Sequence, residues 1–453
     1  MSSDQTSPLK YCVAVVGAGP AGIYAARYLA EQGMYVVLFN RDIKPGGLAE
    51  YGIYYDKYKM KAGLRRQFYQ ILDHSGIDYR GYTTIGQEGD LSLDDLRAIG
   101  FQAILVTVGA QGTKWLGLPG EELTGVYHAK DLVYHYNKLP PYSAQKFDIG
   151  QRVALVGVGN VMLDIAHWLV RDLKVDEIVA IARRGPAEVK FSKKEMEIVA
   201  RNLDLNALSA EIERVRPVME AVGQDVEAAH DFILSALSKA LPPVSDTRFR
   251  LDFLASPSRI LGDEDGRVCG LVVENTTLTP RNGDTKAKSL GTTRVLDVDT
   301  VVFCIGDRVD ETFGLPVKWN EFIKNPAPNY PVNGLSYEAF DPQKAESIDG
   351  IFVAGWSREA SSGLVGVARK DGENGARAVT QYLEEQKAPC EDVSTVQERL
   401  ESALQQVGHP IVAKQDVARL VEYEEQEIKK QGLEDYKLVT NAEMLEVMDF
   451  KAE

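Results

Sequence analysis

The chain has 453 residues, more than one ordinary domain needs and enough for two or three. Hydrophobic residues make up 44% of it, so a large core can form without help from metals or disulfides. The formal net charge of −15 argues against general nucleic-acid binding, which needs a positive footprint.

The N-terminus, MSSDQTSPLKY, has neither an apolar targeting core nor an Arg-rich amphipathic stretch. No apolar run reaches the roughly 18 residues of a membrane span, so a soluble cytoplasmic protein is expected. From Tyr11 the chain reads strand, glycine turn, helix, strand (YCVAVV, GAGPAG, IYAARYLAEQG, YVVLFN), a βαβ unit that favours a parallel sheet. The connector KLPPYSAQKFDIG reads as a hinge-side loop, and a second unit begins near Arg152: RVALVG, VGNV, MLDIAHWLVRDL, EIVAIARRG. Residues 206–241 read as helical. Residues 248–305 alternate β-like runs (RLDFLA, RVCGLVVENTTL, RVLDVDTVVFCIG) with turn signals, and antiparallel strands are expected there. Residues 351–383 return to strand, glycine turn and helix, and the tail 394–450 is charged and helical. The four cysteines, Cys12, Cys269, Cys304 and Cys390, form no CxxC pair and no metal-binding spacing. No metal site and no disulfide relay is therefore expected. Cys12 and Cys304 lie in apolar runs and read as buried thiols.

Gly17, Gly19 and Gly22 complete GxGxxG between a strand and a helix. The first permits the tight turn, the second lets backbone approach a pyrophosphate, and the third lets helix and strand pack closely. The helix N-terminus then faces the phosphate charge. The acidic residue expected about 20 residues on, for the ribose, is absent. Asn40 occupies its place, with Asp42 nearby. An amide bonds a hydroxyl without the charge-assisted strength of a carboxylate. Gly157 and Gly159 open the second loop, GVGNVM, where Met162 holds the third glycine position and should push helix from strand. Arg183 and Arg184 end the following strand, where a dinucleotide's 2′ substituent lies. Two guanidiniums there suit a 2′-phosphate, hence NADP over NAD; the alternative is a solvated basic pair.

Several stretches together are more specific than either loop. They are GAGPAG (17–22), GGLAEYGI (46–53), PGEELTGVYHAKDLVYHYNKLP (119–140), GVGNVMLDIA (157–166), ARRGPAEVKFSKKE (182–195), CIGDR (304–308), AGW with SSGLVG (354–356, 361–366) and HPIVAKQDVARLVEYEEQEIKKQG in the tail. Over nearly its whole length the sequence resembles adrenodoxin reductase and the bacterial NADPH–ferredoxin reductases and, more distantly, the glutamate synthase small subunit.

The resemblance implies an α/β fold of two doubly wound three-layer dinucleotide-binding domains. An FAD domain (1–112 and 311–453, with a C-terminal helical tail) would be interrupted by an NADP domain (113–310). It implies FAD contacts from Gly17, Gly19, Pro20, Ala21, Gly22, Asn40, Gly47, Leu48, Gly109, Gly355, Trp356, Gly363, Leu364 and Val365. It implies NADP(H) contacts from Gly157, Gly159, Asn160, Val161, Arg183, Arg184 and Glu195, with Gly363 and Glu195 near the nicotinamide. Electrons would pass between NADP(H) and a ferredoxin-type carrier by hydride transfer through the flavin, with no side-chain nucleophile.

Three departures stand out. YYDK (54–57) replaces the family's APDH, so Lys57 stands where a histidine is usual. SREASSG (357–363) replaces a KRGPTG-like run, and DGENGARA (371–378) is nearer the glutamate synthase pattern. The last leaves a second reading open, an NADP(H)-linked electron-input subunit of a larger complex, 2-oxoacid:ferredoxin or glutamate synthase-like. Asn40 and Met162 leave a third, a dinucleotide sensor without turnover. An acidic carrier needs a basic landing site on this acidic protein. Lys57, Lys59, Lys61, Arg65 and Arg66 are the densest candidate, though the same run fits a solvated helical face.

Overall fold

The computed structural model describes residues 11–281, 284–360, 363–386 and 392–450. Two compact units divide the chain: residues 1–112, 134–144 and 307–453 form one, and residues 113–133 and 145–306 the other.

The chain opens with β1 (Cys12–Val16), α1 (Pro20–Glu31), β2 (Tyr35–Asn40), the short α2 (Leu48–Tyr51), α3 (Tyr58–Leu72), β3 (Ile77–Gly81), α4 (Leu93–Ile99), β4 (Ala103–Val106) and the two-residue β5 (Gly112–Thr113). Every residue of β1, β2 and β4 is buried, as expected of strands with helices on both faces. Local signals set helix ends. Ser92 accepts from Asp95 N–H while Asp95 accepts from Ser92 N–H, and Gly100, at φ 114°, stops α4.

The middle of the chain supplies β6 (Val126–His128), α5 (Ala129–Tyr136), β7 (Arg152–Val156), α6 (Asn160–Trp168), β8 (Glu177–Ile181), α7 (Lys193–Met196), α8 (Leu205–Glu220), α9 (Val226–Leu234), β9 (Arg248–Asp252), β10 (Ala255–Gly262), β11 (Val268–Arg281), β12 (Asp284–Leu296) and β13 (Thr300–Phe303). The second unit's main sheet runs β6-β13-β7-β8-β9, all parallel, and β10-β11-β12 form a separate antiparallel sheet. The antiparallel expectation for 248–305 therefore holds only for its centre. The RLD of RLDFLA ends β9 and TVVF forms β13, and both join the parallel sheet; β13 is wholly buried, as suits a strand covered on both faces, while β9 lies at the sheet edge with Arg248 exposed.

The last part adds β14 (Asp307–Arg308), β15 (Val317–Lys318), β16 (Glu321–Phe322), β17 (Glu338–Asp341), β18 (Glu346–Val353), α10 (Val365–Gln386), α11 (Val393–Leu404), α12 (Lys414–Gln431) and α13 (Asn441–Val447). The first unit's sheet runs β17-β18-β4-β1-β2-β3, with only β17 antiparallel. Val13 and Val15 point into one apolar layer with α1, α3, α10, α12 and α13. Cys12, Ala14 and Val16 point into the other with α4 and α11. Residues 134–144, placed above inside the 113–310 stretch, pack instead with the first unit, where Tyr134 and Leu139 bury against Tyr51.

Candidate functional site

The first glycine loop joins β1 to α1. A Cβ on Gly17 would lie 2.6 Å from Thr107 O, one on Gly22 1.9 Å from Gly17 O, and one on Gly47 3.1 Å from Gly19 Cα. Gly19 differs, because nothing lies within 4 Å of its Cβ position. Helix α1 has no side-chain cap at Gly19, Pro20 at its start, and no acidic residue in its first turn. Its first N–H groups and the positive end of its dipole are thus left for an anion. These features fit the pyrophosphate of FAD.

Other residues expected at FAD converge on this loop. Gly46 N–H donates to Ala18 O (2.7 Å), which lays Gly47 and Leu48 beside it. Gly109 N–H donates to Ser357 Oγ (3.0 Å), and a Cβ on Gly355 would meet Ala21 Cβ at 2.7 Å. The sequence reading missed what holds this return segment, Asp371 on α10. It accepts from Gly355 N–H (2.6 Å) and Tyr337 Oη (3.0 Å) and pairs with Arg358 (2.7 Å). Trp356 is half-buried, as is Val365, while Gly363 and Leu364 are exposed at the start of α10. Ser361 and Ser362 of the SSGLVG match lie outside the described residues.

Asn40 departs from its expected role. Its Oδ1 accepts from Ala18 N–H (3.2 Å), and its Nδ2 faces Asp42 O (2.7 Å), Lys44 O (3.0 Å) and Tyr79 Oη (3.2 Å). The side chain is 6% exposed and its donors are spent inside the protein, so it braces the glycine loop instead of offering an amide to ribose.

Beside Leu48 the chain buries charge. Glu50, 2% exposed, takes Arg65 on both oxygens (2.6 and 2.7 Å), Lys437 at 2.9 Å and Lys44 at 3.7 Å. Lys44 also meets Glu424 (2.5 Å), and Arg65 meets Asp435 (2.8 Å). Burial alone would raise the Glu50 carboxyl, but Lys437, Lys44 and Arg65 outweigh it and hold it well below the usual range. Burial draws Lys437 down against the pull of Glu50, 2.9 Å away. Lys61 Nζ donates to Asn137 Oδ1 (2.7 Å) and Ile53 O (3.3 Å). Burial, reinforced by Lys437, pushes Lys61 down to about 6. Around it three basic side chains, Lys44, Arg65 and Lys437, meet three acidic ones, Glu50, Glu424 and Asp435.

This corrects the docking candidate. Lys61 and Arg65 point into the unit, since Lys61 shares the buried face of α3 with Phe68, Ile71 and Leu72. Lys59 and Arg66 are exposed and Lys57 is half-buried.

The second loop repeats the device. A Cβ on Gly157 would meet Cys304 O at 2.4 Å, Gly159 faces open space, and α6 has no side-chain cap and no acid in its first turn. Met162 is fully buried and Val161 is exposed. Lys190 N–H donates to Val158 O (2.8 Å) and Ser192 N–H to Asn160 Oδ1 (2.7 Å), so the KFSKKE segment comes to the loop. Ser192 then caps α7, which carries Glu195. Beyond β8, Arg183 is exposed and Arg184 is half-buried. A 2′-phosphate fits this donor set.

Residues 11–216 match the pyridine nucleotide-disulphide oxidoreductase family. The chain is 27% identical to NADPH:adrenodoxin oxidoreductase of Arabidopsis thaliana, with 85% of this chain and 84% of that protein covered. It is also 27% identical to NADPH-ferredoxin reductase FprA of Mycobacterium tuberculosis, with 80% and 82% covered. Along most of its length the chain is similar to adrenodoxin reductase-like proteins. The structure of Mycobacterium tuberculosis FprA in complex with NADPH shares its fold at a TM-score of 0.79 and 24% identity, covering 98% of this chain and 100% of that one. The disulphide chemistry in the broader family's name has no dithiol here among the described residues. Cys12, Cys269 and Cys304 form no disulfide, and Cys12 and Cys304 are buried as expected. Among the described residues no helix is long and apolar enough to cross a membrane.

Proposed function

We propose that this protein is an FAD-dependent oxidoreductase that moves electrons between NADP(H) and a ferredoxin-type one-electron carrier, as a cytoplasmic enzyme. One observation carries the reading: each unit has a glycine-opened helix N-terminus without a side-chain cap, and the second is followed by Arg183 and Arg184. The relatives' names, NADPH:adrenodoxin oxidoreductase and NADPH-ferredoxin reductase, support the same reading.

FAD belongs to the unit containing 1–112 and 311–453, and NADP(H) to that within 113–310. Bound flavin supplies the conversion between two-electron and one-electron transfer. The protein's own residues bind and orient. Gly17 to Gly22, with Gly47 and Leu48, hold the pyrophosphate of FAD. Gly109, Gly355, Trp356 and Gly363 to Val365 line its flavin end. Gly157 to Val161 receive the NADP pyrophosphate, Arg183 and Arg184 hold the 2′-phosphate, and Glu195 contacts the nicotinamide half. Lys59 and Arg66, with Lys57, remain to steer an acidic carrier.

The test is anaerobic titration of the purified protein with NADPH and with NADH, followed by flavin absorbance, then addition of ferredoxin with cytochrome c as final acceptor. NADPH should bleach the flavin far better than NADH, and ferredoxin should accelerate cytochrome c reduction. Flavin reduction without ferredoxin turnover would move the acceptor to a partner subunit. Absence of flavin, or of reduction by either nucleotide, would end the reading.

A further inference from the structure

Strands β11 and β12 make a long arm, 14 and 13 residues, paired from Leu271↔Leu296 out to Arg281↔Asp284. Where β12 begins, the arm lies across the turn that follows β8. Arg184 Nη1 meets Asp284 Oδ1 (3.2 Å) and Oδ2 (3.4 Å) and donates to Thr285 O (3.3 Å). Thr285 Oγ1 donates to Glu188 Oε1, which also accepts from Gln224 Nε2 (2.6 Å). On the outgoing strand, Thr276 Oγ1 donates to Arg183 O (2.7 Å). The two arginines are therefore not equivalent. Arg183 presents an exposed guanidinium, while the guanidinium of Arg184 already holds a carboxylate of the same chain.

We propose that Asp284 is a specificity-determining residue that competes with the 2′-phosphate of NADP(H) for Arg184. The proposal rests on the reading of Arg183 and Arg184 as the 2′-phosphate site. A carboxylate and a phosphate seek the same fork of N–H donors, and Arg184 cannot satisfy both in one geometry. Asp284 is 74% exposed at its side chain, so water solvates it readily and it yields to a more highly charged anion. NAD, with a hydroxyl in place of the phosphate, leaves the pair undisturbed. The arm thus lowers affinity for NADP(H) selectively and is released from Arg184 when the phosphate binds.

The experiment is calorimetric titration of the oxidised holoenzyme with NADP+ and with NAD+, at low salt. It compares the wild type with Asp284→Asn, Arg183→Gln, Arg184→Gln and the Asp284→Asn/Arg184→Gln double variant. Asp284→Asn should bind NADP+ about two- to fivefold more tightly, the scale of an exposed ion pair, with NAD+ unchanged. The gain should vanish in the Arg184→Gln background, as a direct coupling requires. Equal or weaker NADP+ binding by Asp284→Asn, or a gain that persists without Arg184, overturns the proposal. If both arginine variants bind NADP+ as the wild type does, the 2′-phosphate site falls and the competition with it. If they weaken NADP+ while Asp284→Asn gains nothing, the competition alone falls.

Discussion

The two glycine loops are one device built twice, and their differences are informative. Helix α1 starts at Pro20 after Gly19 and α6 at Asn160 after Gly159, both without a side-chain cap. The first two glycines answer the same need in each: a turn pressed against a neighbouring strand and an open face toward the anion. The third position does not. In the first loop a Cβ at Gly22 would strike Gly17 O and, at 2.5 Å, Thr107 Oγ1, whereas in the second Met162 fills that place fully buried. The strand ends differ as well. Asn40 turns inward to brace its own loop, while Arg183 faces water. Backbone crowding at the turn sets the first glycine, the open face toward the anion suits the second, and local packing decides the third.

Making the first loop copy the second should break it most severely. Gly22→Met is expected to lose at least ~3 kcal/mol and its flavin, read as the ratio of flavin to protein absorbance and a thermal melt. Wild-type flavin content would mean the third positions are interchangeable.

The charge buried beside the first loop gives the next effect. The folded value of Lys61, about 6, lies below the unfolded value of roughly 10.4. Between those limits the unfolded chain binds the extra proton, so this group makes stability rise with pH across that window. Lys61→Met removes the contribution. It should flatten the pH slope of urea-unfolding free energy by about 1.4 kcal/mol per pH unit between pH 7 and pH 9. The variant should also melt higher at neutral pH. An unchanged slope would show that Lys61 stays charged in the fold.

At the second loop, Arg183→Gln and Arg184→Gln should each weaken NADP+ by about tenfold or more, the scale of a charge-assisted bond, and leave NAD+ alone. For Asn40→Glu the expectation is no gain in flavin retention. A carboxylate cannot donate to Asp42 O and Lys44 O, so a loss of about 1–3 kcal/mol in chemical denaturation is expected. Tighter flavin retention would restore the ribose role. The smallest effect belongs to Lys59→Glu with Arg66→Glu. Ferredoxin-dependent turnover should slow a few-fold at low salt and recover toward wild type as salt rises, as steering by exposed charge does.

Much of this was legible in the sequence because its causes are local. A glycine turn between an apolar strand and a helix, or a pair of arginines at a strand end, needs no knowledge of the rest of the chain. The wrong expectations share the opposite property. Lys61 and Arg65 look like surface charge in sequence, and only partners distant in sequence, Asn137 for Lys61 and Glu50 with Asp435 for Arg65, make their burial tolerable. Asp371 reads as one helical acid among many until Gly355, Tyr337 and Arg358 converge on it.

The sequence by itself determined the two βαβ units, the phosphate-facing turns and the positive strand end, because backbone sterics and helix dipoles act within a few residues. The tertiary structure alone decided that Asn40 braces its loop and that Asp284 reaches Arg184. It also decided that the tail neutralises charge beside the first loop and that β9 and β13 lie parallel to their neighbours. Each of these is a pairing between residues distant in sequence, and burial and hydrogen-bond satisfaction choose such partners only once the chain has brought them together.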